Sequence, residues 1–158
     1  MGCPAADRPV DGLSRAEARA ATVCEIRRQR RLTGRAVVRP DAQLHTATRR
    51  HARLMVKQDC YEHICRGEAS IEGRLFKSGY LRGARNWSYG ENIGCATSVR
   101  QMIATWLANE PSRKILLGKA YRDIGATVTK GVPSEAQNCT SDPSYGTFTV
   151  LLAVRQPR

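Results

Sequence analysis

GARNWSYGENIGC, residues 83–95, brings three glycines and two aromatic rings into one stretch. Glycines bend the chain and rings hold it in place, so this composition reads as a structured loop rather than a flexible linker. Its centre is Gly90-Glu91-Asn92-Ile93, with Cys95 four residues past Glu91. A carboxylate there either organises its own loop by accepting backbone N–H bonds or serves a site.

Upstream of this stretch the pattern is helical. Ser70 to Ser78 reads as a short helix carrying Leu75 and Phe76 and closed by Gly79. Residues 60–69, CYEHICRGEA, interrupt that pattern. Before them, Asp41 opens a helix on which Leu44, Ala47, Thr48, His51, Leu54, Met55 and Gln58 form a stripe. His51 within the stripe reads as a hydrogen-bonded core residue. His45 falls beside it with no visible partner. Further back, Ser14 and Glu17 form a capping box, and Ala16, Ala20, Val23, Cys24 and Arg27 fall at helical spacing up to Gly34. Residues 1–13 read as an extended arm, leaving 14–158 as one domain. A Cys3–Cys24 bridge would pin that arm.

Downstream, Ser98 and Gln101 cap a helix whose Val99, Met102, Ile103, Trp106 and Leu107 share a face, ending near Asn109 and Pro111. Then the period changes. Ile124, Ala126 and Val128 alternate as a strand, residues 131–145 are a turn-rich connection holding Cys139, and Thr147 to Val154 is a β-branched final strand. Helices first and strands last give an α+β class: a small antiparallel sheet flanked by helices.

Composition narrows the function. With 158 residues and 41% hydrophobic content the chain supports one core, and disorder is excluded. No run reaches the roughly 18 apolar residues of a membrane span, so the chain is not read as transmembrane. No apolar segment follows Met1, so a signal peptide is absent or already removed. Cys3, Cys24, Cys60, Cys65, Cys95 and Cys139 are an even, dispersed set without a CxxC pair, which fits disulfides in an oxidising compartment. The net charge of +12 attracts polyanions. The basic residues, spread over Arg15 to Arg50, Arg74 to Arg85 and Arg113 to Arg122, show no aromatic-interleaved stripe, which disfavours nucleic-acid recognition.

In order along the chain, ATVCEIRRQRRLTG (21–34), LHTATRRHARLMV (44–56), CYEH (60–63), GYLRGARNWSYGENI (79–93), MIATWLANEPSR (102–113), AYRDIGATVTKGVP (120–133) and GTFTVLLAV (146–154) resemble the CAP superfamily. These are the SCP-like domains related to cysteine-rich secretory proteins, venom antigens and plant pathogenesis-related proteins. GYLRGARNWSYGENI is the nearest match, and the order and spacing of the segments together, rather than the GEN tripeptide alone, carry the resemblance. It implies an α-β-α sandwich, an extracellular or cell-envelope address, and a cleft gathering two histidines and two acidic residues.

The cleft motif is partly kept. His63 and Glu91 match two of the four positions the resemblance implies, where imidazoles hold a divalent metal such as zinc and carboxylates orient them. Where bacterial members carry a histidine before arginine, Ser112 precedes Arg113. Where plant and animal members place the second histidine, Thr147 stands. Glu110 lies one position beyond the family's acidic site, and Asn92 completes GEN. His63 alone is a poor zinc ligand set, so no cofactor is expected to be required. Ser112, His63 and Glu91 have the residue types of a hydrolytic triad, although nothing around Ser112 resembles a nucleophile elbow. Cys60 and Cys65 flank His63 either as half-cystines or as thiolate ligands.

These readings favour a secreted, monomeric binding domain with a degenerate cleft. Its partners would be a lipid, a cell-wall polymer or another protein. The alternatives are a metal-dependent or serine-type hydrolase acting through His63 and Glu91, and a non-specific polyanion binder.

Overall fold

The computed structural model describes residues 2–134, 136, 139 and 142–157. Helix α1 (Arg15–Leu32) begins at the expected capping box. The Ser14 hydroxyl accepts from the Glu17 N–H at 3.1 Å, and the Glu17 carboxylate accepts from the Ser14 N–H at 2.7 Å. Its buried side carries Ala18, Ala21, Thr22, Val23, Glu25, Ile26 and Arg30; of the residues the periodicity picks out, Val23 is buried, Cys24 and Arg27 are half-buried, and Ala16 and Ala20 are exposed. Thr22, Glu25 and Arg30 share the inner face with apolar residues, so apolarity alone does not mark that side. Thr22 Oγ1 donates to Ala18 O at 2.8 Å. The Arg30 guanidinium donates to the carbonyls of Ala36 (2.8 Å), Leu116 (2.7 Å) and Gly118 (3.0 Å). The segment before α1 is turned rather than extended, with Val10–Gly12 a 3-10 turn and Cys3, Ala6, Val10 and Leu13 in the core.

Helix α2 (Ala42–Lys57) starts where Asp41 Oδ1 accepts the N–H groups of Gln43 and Leu44, both at 2.9 Å. The predicted stripe holds through Leu44, Ala47, Thr48, His51 and Met55, all buried, and fades at exposed Gln58. His45 has a partner after all, since its Nδ1 lies 2.8 Å from the carbonyl oxygen of Ala126. Helices α3 (Ile71–Lys77), α4 (Val99–Ala108) and α5 (Glu110–Leu116) follow, capped by Ser70, Ser98 and Asn109. Among the described residues no helix is long and apolar enough to cross a membrane.

The sheet runs β1 (Arg39–Pro40), β3 (Asp123–Lys130), β4 (Gly146–Pro157), β2 (Ala84–Ala96) from edge to edge. Its long pairings are antiparallel, and the two-residue β1 joins β3 in parallel, so the sheet is mixed. The main departure from expectation is β2. The stretch read as a loop is a 13-residue strand paired with β4 from Ala84↔Pro157 to Ala96↔Gly146. Its glycines serve close packing rather than turning. A Cβ at Gly94 would stand 2.6 Å from Met102 Sδ and 3.1 Å from Trp106 Nε1, and one at Gly90 would meet Ile115 at 2.9 Å.

Successive side chains of β4 serve two cores. Phe148, Val150 and Leu152 join α1, α4 and Leu116 on one side, whereas Leu151 and Ala153 join Leu44, Leu75, Tyr80 and Leu81 on the other. With helices on both faces, Ile124 to Val128 of β3 are buried at every position instead of alternating. The result is an α-β-α sandwich of the α+β class. Disulfides join Cys3 to Cys24, Cys60 to Cys65 and Cys95 to Cys139. Of the turn-rich connection 131–145, residues 135, 137, 138, 140 and 141 lie outside the described set.

Candidate functional site

The 60–69 segment is held from several sides. The Cys60–Cys65 bridge closes it, the Cys60 N–H donates to Met55 O at 2.9 Å, and Gln58 Nε2 donates to Arg66 O at 3.1 Å. At its end Glu68 turns back to accept the Cys65 N–H at 3.0 Å. Thus fixed, the loop sets His63 over β2.

His63 Nδ1 lies 2.9 Å from Glu91 Oε1. An ionised carboxylate only accepts, so the proton sits on Nδ1, and the lone pair of a neutral ring is at Nε2. Arg74 of α3 reaches the same carboxylate, Nη1 donating to Oε2 at 2.8 Å and Nη2 to Oε1 at 3.2 Å. It also donates from Nη2 to the His63 carbonyl at 2.7 Å. His51 of α2 lies beneath, its Nδ1 donating to Glu68 at 2.8–2.9 Å while Nε2 stands 3.8 Å from Glu91 Oε1 without a hydrogen bond. Arg74 Nε is 3.6 Å from Glu68 Oε2. Two imidazoles, two carboxylates and one guanidinium therefore form a single cluster drawn from α2, the bridged loop, α3 and β2.

Burial separates its members. The Glu91 and His51 side chains are 0% exposed, while that of His63 is 52% exposed. Burial pushes the Glu91 carboxyl upward, but the bonds from His63 and Arg74 and the charges of Arg74 and His51 outweigh it and hold it below the ordinary glutamate range. Glu68 shows the same balance: burial raises it, and His51, the Cys65 N–H and Arg74 bring it down.

The other sequence candidates go elsewhere. Asn92, next to Glu91 on the strand, faces the opposite way and donates from Nδ2 to Ser112 O at 3.0 Å. Ser112 sits in the first turn of α5, its N–H donated to Asn109 Oδ1 at 3.2 Å. Among the described residues no hydrogen bond joins Ser112 to His63. Tyr61 and Ser112 share a pocket of about 180 Å³ with Trp106, and neither His63 nor Glu91 lines it. Glu110 is exposed and pairs with Lys114 at 2.9 Å. Thr147 is buried and donates to Gly131 O at 2.6 Å.

His51, Glu68 and Arg74 were not among the sequence candidates for the site. His51 is indeed a buried, hydrogen-bonded residue, but its partner belongs to the cluster. Nothing in the spacing marks Glu68 or Arg74, because the bridged loop brings them together.

Among the described residues one group of ligand-type side chains converges: His51, Cys65 and Glu68, with ligand atoms within 4.8 Å of one another. Cys65 is spent in its disulfide, which also removes the thiolate-ligand reading of Cys60 and Cys65. The pair left falls short of the three protein ligands of a catalytic zinc. At Glu91 the Arg74 guanidinium holds the place a cation would take. The donor set does not fit a zinc centre.

No protein-family profile matches the chain, and none of the curated proteins matches it by sequence. Solved structures do match. An outer surface protein from Borrelia burgdorferi superposes with a TM-score of 0.69 at 16% identity, over 85% of this chain and 90% of that one. An extracellular protein containing an SCP domain from Bacillus anthracis gives 0.71 at 17% identity, over 90% of this chain and 41% of the other. A cysteine-rich secretory protein from Staphylococcus aureus gives 0.65 at 14% identity, over 90% and 40%. The chain spans about two fifths of the length of the last two. Its fold is the one these structures share, the SCP-domain protein and the cysteine-rich secretory protein among them.

Proposed function

We propose that this chain is a secreted or surface-exposed CAP-fold binding domain whose ancestral cleft is structural rather than catalytic. The observation that carries this is Glu91: its side chain is 0% exposed, and both oxygens are taken by Arg74 and His63. A carboxylate so engaged ties α3, the bridged loop and β2 together and has no room to exchange protons with a substrate. Three disulfides support an oxidising compartment, as do the extracellular and outer-surface descriptions of the matching structures. The chain is taken to act as one monomeric unit, the 14–158 domain with its 1–13 segment.

The test is zinc calorimetry together with turnover assays on ester, amide and glycan substrates, for wild type and His63→Ala. No saturable zinc heat and no turnover are expected from either. Turnover or zinc uptake that His63→Ala abolishes would overturn the reading. One observation favours a hydrolytic alternative: Glu91 orients the half-exposed His63 so that Nε2 faces outward, as in a general base. That reading requires a pH–rate profile with a limb that disappears in the same variant.

A further inference from the structure

The far edge of the sheet carries a feature unrelated to the cleft. Among the described residues β1 pairs with β3 only at Asp123 and Ile124, and no strand pairs on that side of β3 from Gly125 to Lys130. His45 engages the edge at Ala126, so the open stretch is Thr127 to Lys130, about 13 Å at roughly 3.3 Å per residue. The Asp41 N–H bonds the Ile124 carbonyl, and His45 lies against that of Ala126. By the alternation of a strand, Val128 is the next residue to turn its N–H and C=O outward. Burial lowers the His45 pKa, and the charges of Arg19 and Arg49 add to this against its bond to Ala126.

The open edge is the floor of a groove of about 210 Å³ between α1 and α2. Arg15 and Arg19 rise from α1 on one side, Arg49 and Arg53 from α2 on the other, and no carboxylate lines it. All four arginines are exposed, and no ion pair or hydrogen bond engages any of them among the described residues. The groove continues past His45 and Arg19 into a second hollow toward Pro40, where the carboxylate is that of the helix cap Asp41.

We infer that this edge is a strand-addition site for an extended acidic peptide, with Arg15 and Arg19 reading one face of the added strand and Arg49 and Arg53 the other. Each helix offers two arginines four residues apart, a rise of about 6 Å. Same-face side chains of a strand recur at about 6.7 Å. Successive side chains of the incoming strand point alternately to α1 and α2. The matching ligand is therefore a run of about four consecutive Asp or Glu residues, not an alternating sequence. A polyphosphate satisfies the arginines equally well but offers no amide ladder to Val128, and that difference favours a peptide.

The probe is a fluorescein-labelled hexapeptide, Val-Glu-Glu-Glu-Glu-Val, blocked at both ends. It is compared with the same sequence N-methylated at alternate residues, and with inorganic polyphosphate. Saturable binding is expected, with slowed exchange of the Val128 amide and affinity at least about tenfold lower for the N-methylated peptide, a loss of one to two backbone bonds. Arg19→Glu with Arg49→Glu, folded by circular dichroism, abolishes binding, whereas His63→Ala retains it, so this result is independent of the cleft. Failure to bind overturns the inference. So does equal binding of the N-methylated peptide, or polyphosphate binding without Val128 protection, which would make the groove a plain polyanion surface.

Discussion

Glu91→Gln separates a structural cleft from a chemical one. The amide keeps the shape but presents one oxygen where the carboxylate offers two to Arg74 and His63. One N–H of the guanidinium or imidazole loses its acceptor, and the 6% exposed Arg74 side chain loses its best-paired counter-charge, since Glu68 is 3.6 Å from Nε. Breaking a buried pair from one side costs about 3–5 kcal/mol. For a chain of this size that is a fall in Tm of roughly 6–20 °C. His63→Ala removes only the half-exposed end of the network and should cost about 1 kcal/mol or less. Urea titration of both variants with disulfides intact gives the two values. A Glu91→Gln protein within about 1 kcal/mol of wild type would refute the anchoring argument and return Glu91 to the list of chemical groups.

Acid should act through the same pair. Glu91 and Glu68 are held below their unfolded values, so their contribution is complete above about pH 4.3 and is lost as pH falls through the lowered folded values. The urea midpoint should drop across that window in wild type and drop less in the Glu68→Gln, Glu91→Gln double variant; equal slopes would count against it. Gly125→Ala should destabilise by about 1–3 kcal/mol, because a Cβ there would stand 2.6 Å from His45 N on the α2 backbone. His51 resonances should shift with it in NMR spectra, since the same helix carries both residues. Chain entropy ranks the disulfides by loop length, with separations of 44, 21 and 5 residues for Cys95–Cys139, Cys3–Cys24 and Cys60–Cys65. Replacing each pair by serines should cost about 4, 3 and 2 kcal/mol in that order, read from urea midpoints.

Local chemistry was the part of the fold most legible in the sequence. Ser14, Asp41, Ser70 and Ser98 each cap the helix assigned to them, because a cap depends on residues three positions apart. The α2 stripe was legible because its helix buries an apolar face. β2 was not, since glycines that admit Met102 and Trp106 look, without those neighbours, like glycines of a turn. The inner face of α1 was partly hidden because Thr22, Glu25 and Arg30 are buried there. In the cleft, His63 and Glu91 could be read from motifs. Arg74 could not: its burial is set by Glu91, 17 positions away, and by a loop shaped by a disulfide. The same limit applied to the tie from Asn92 to the Ser112 carbonyl, 20 positions away.

Arg30 has a consequence for how the chain reaches this state. Its guanidinium is wholly buried and bonded to the carbonyls of Ala36, Leu116 and Gly118, the last two 86 and 88 residues downstream. Until that distant turn arrives, no acceptors replace water around the charge, and the final turn of α1 has every reason to stay open. An N-terminal half with only its first helices made therefore holds a charge it cannot bury, which disfavours early, independent closure. Pulse-labelled hydrogen exchange should show the amides at the end of α1 and those around Leu116 becoming protected in the same kinetic phase. One charged side chain in the core makes the assembly of this fold wait for its C-terminal half.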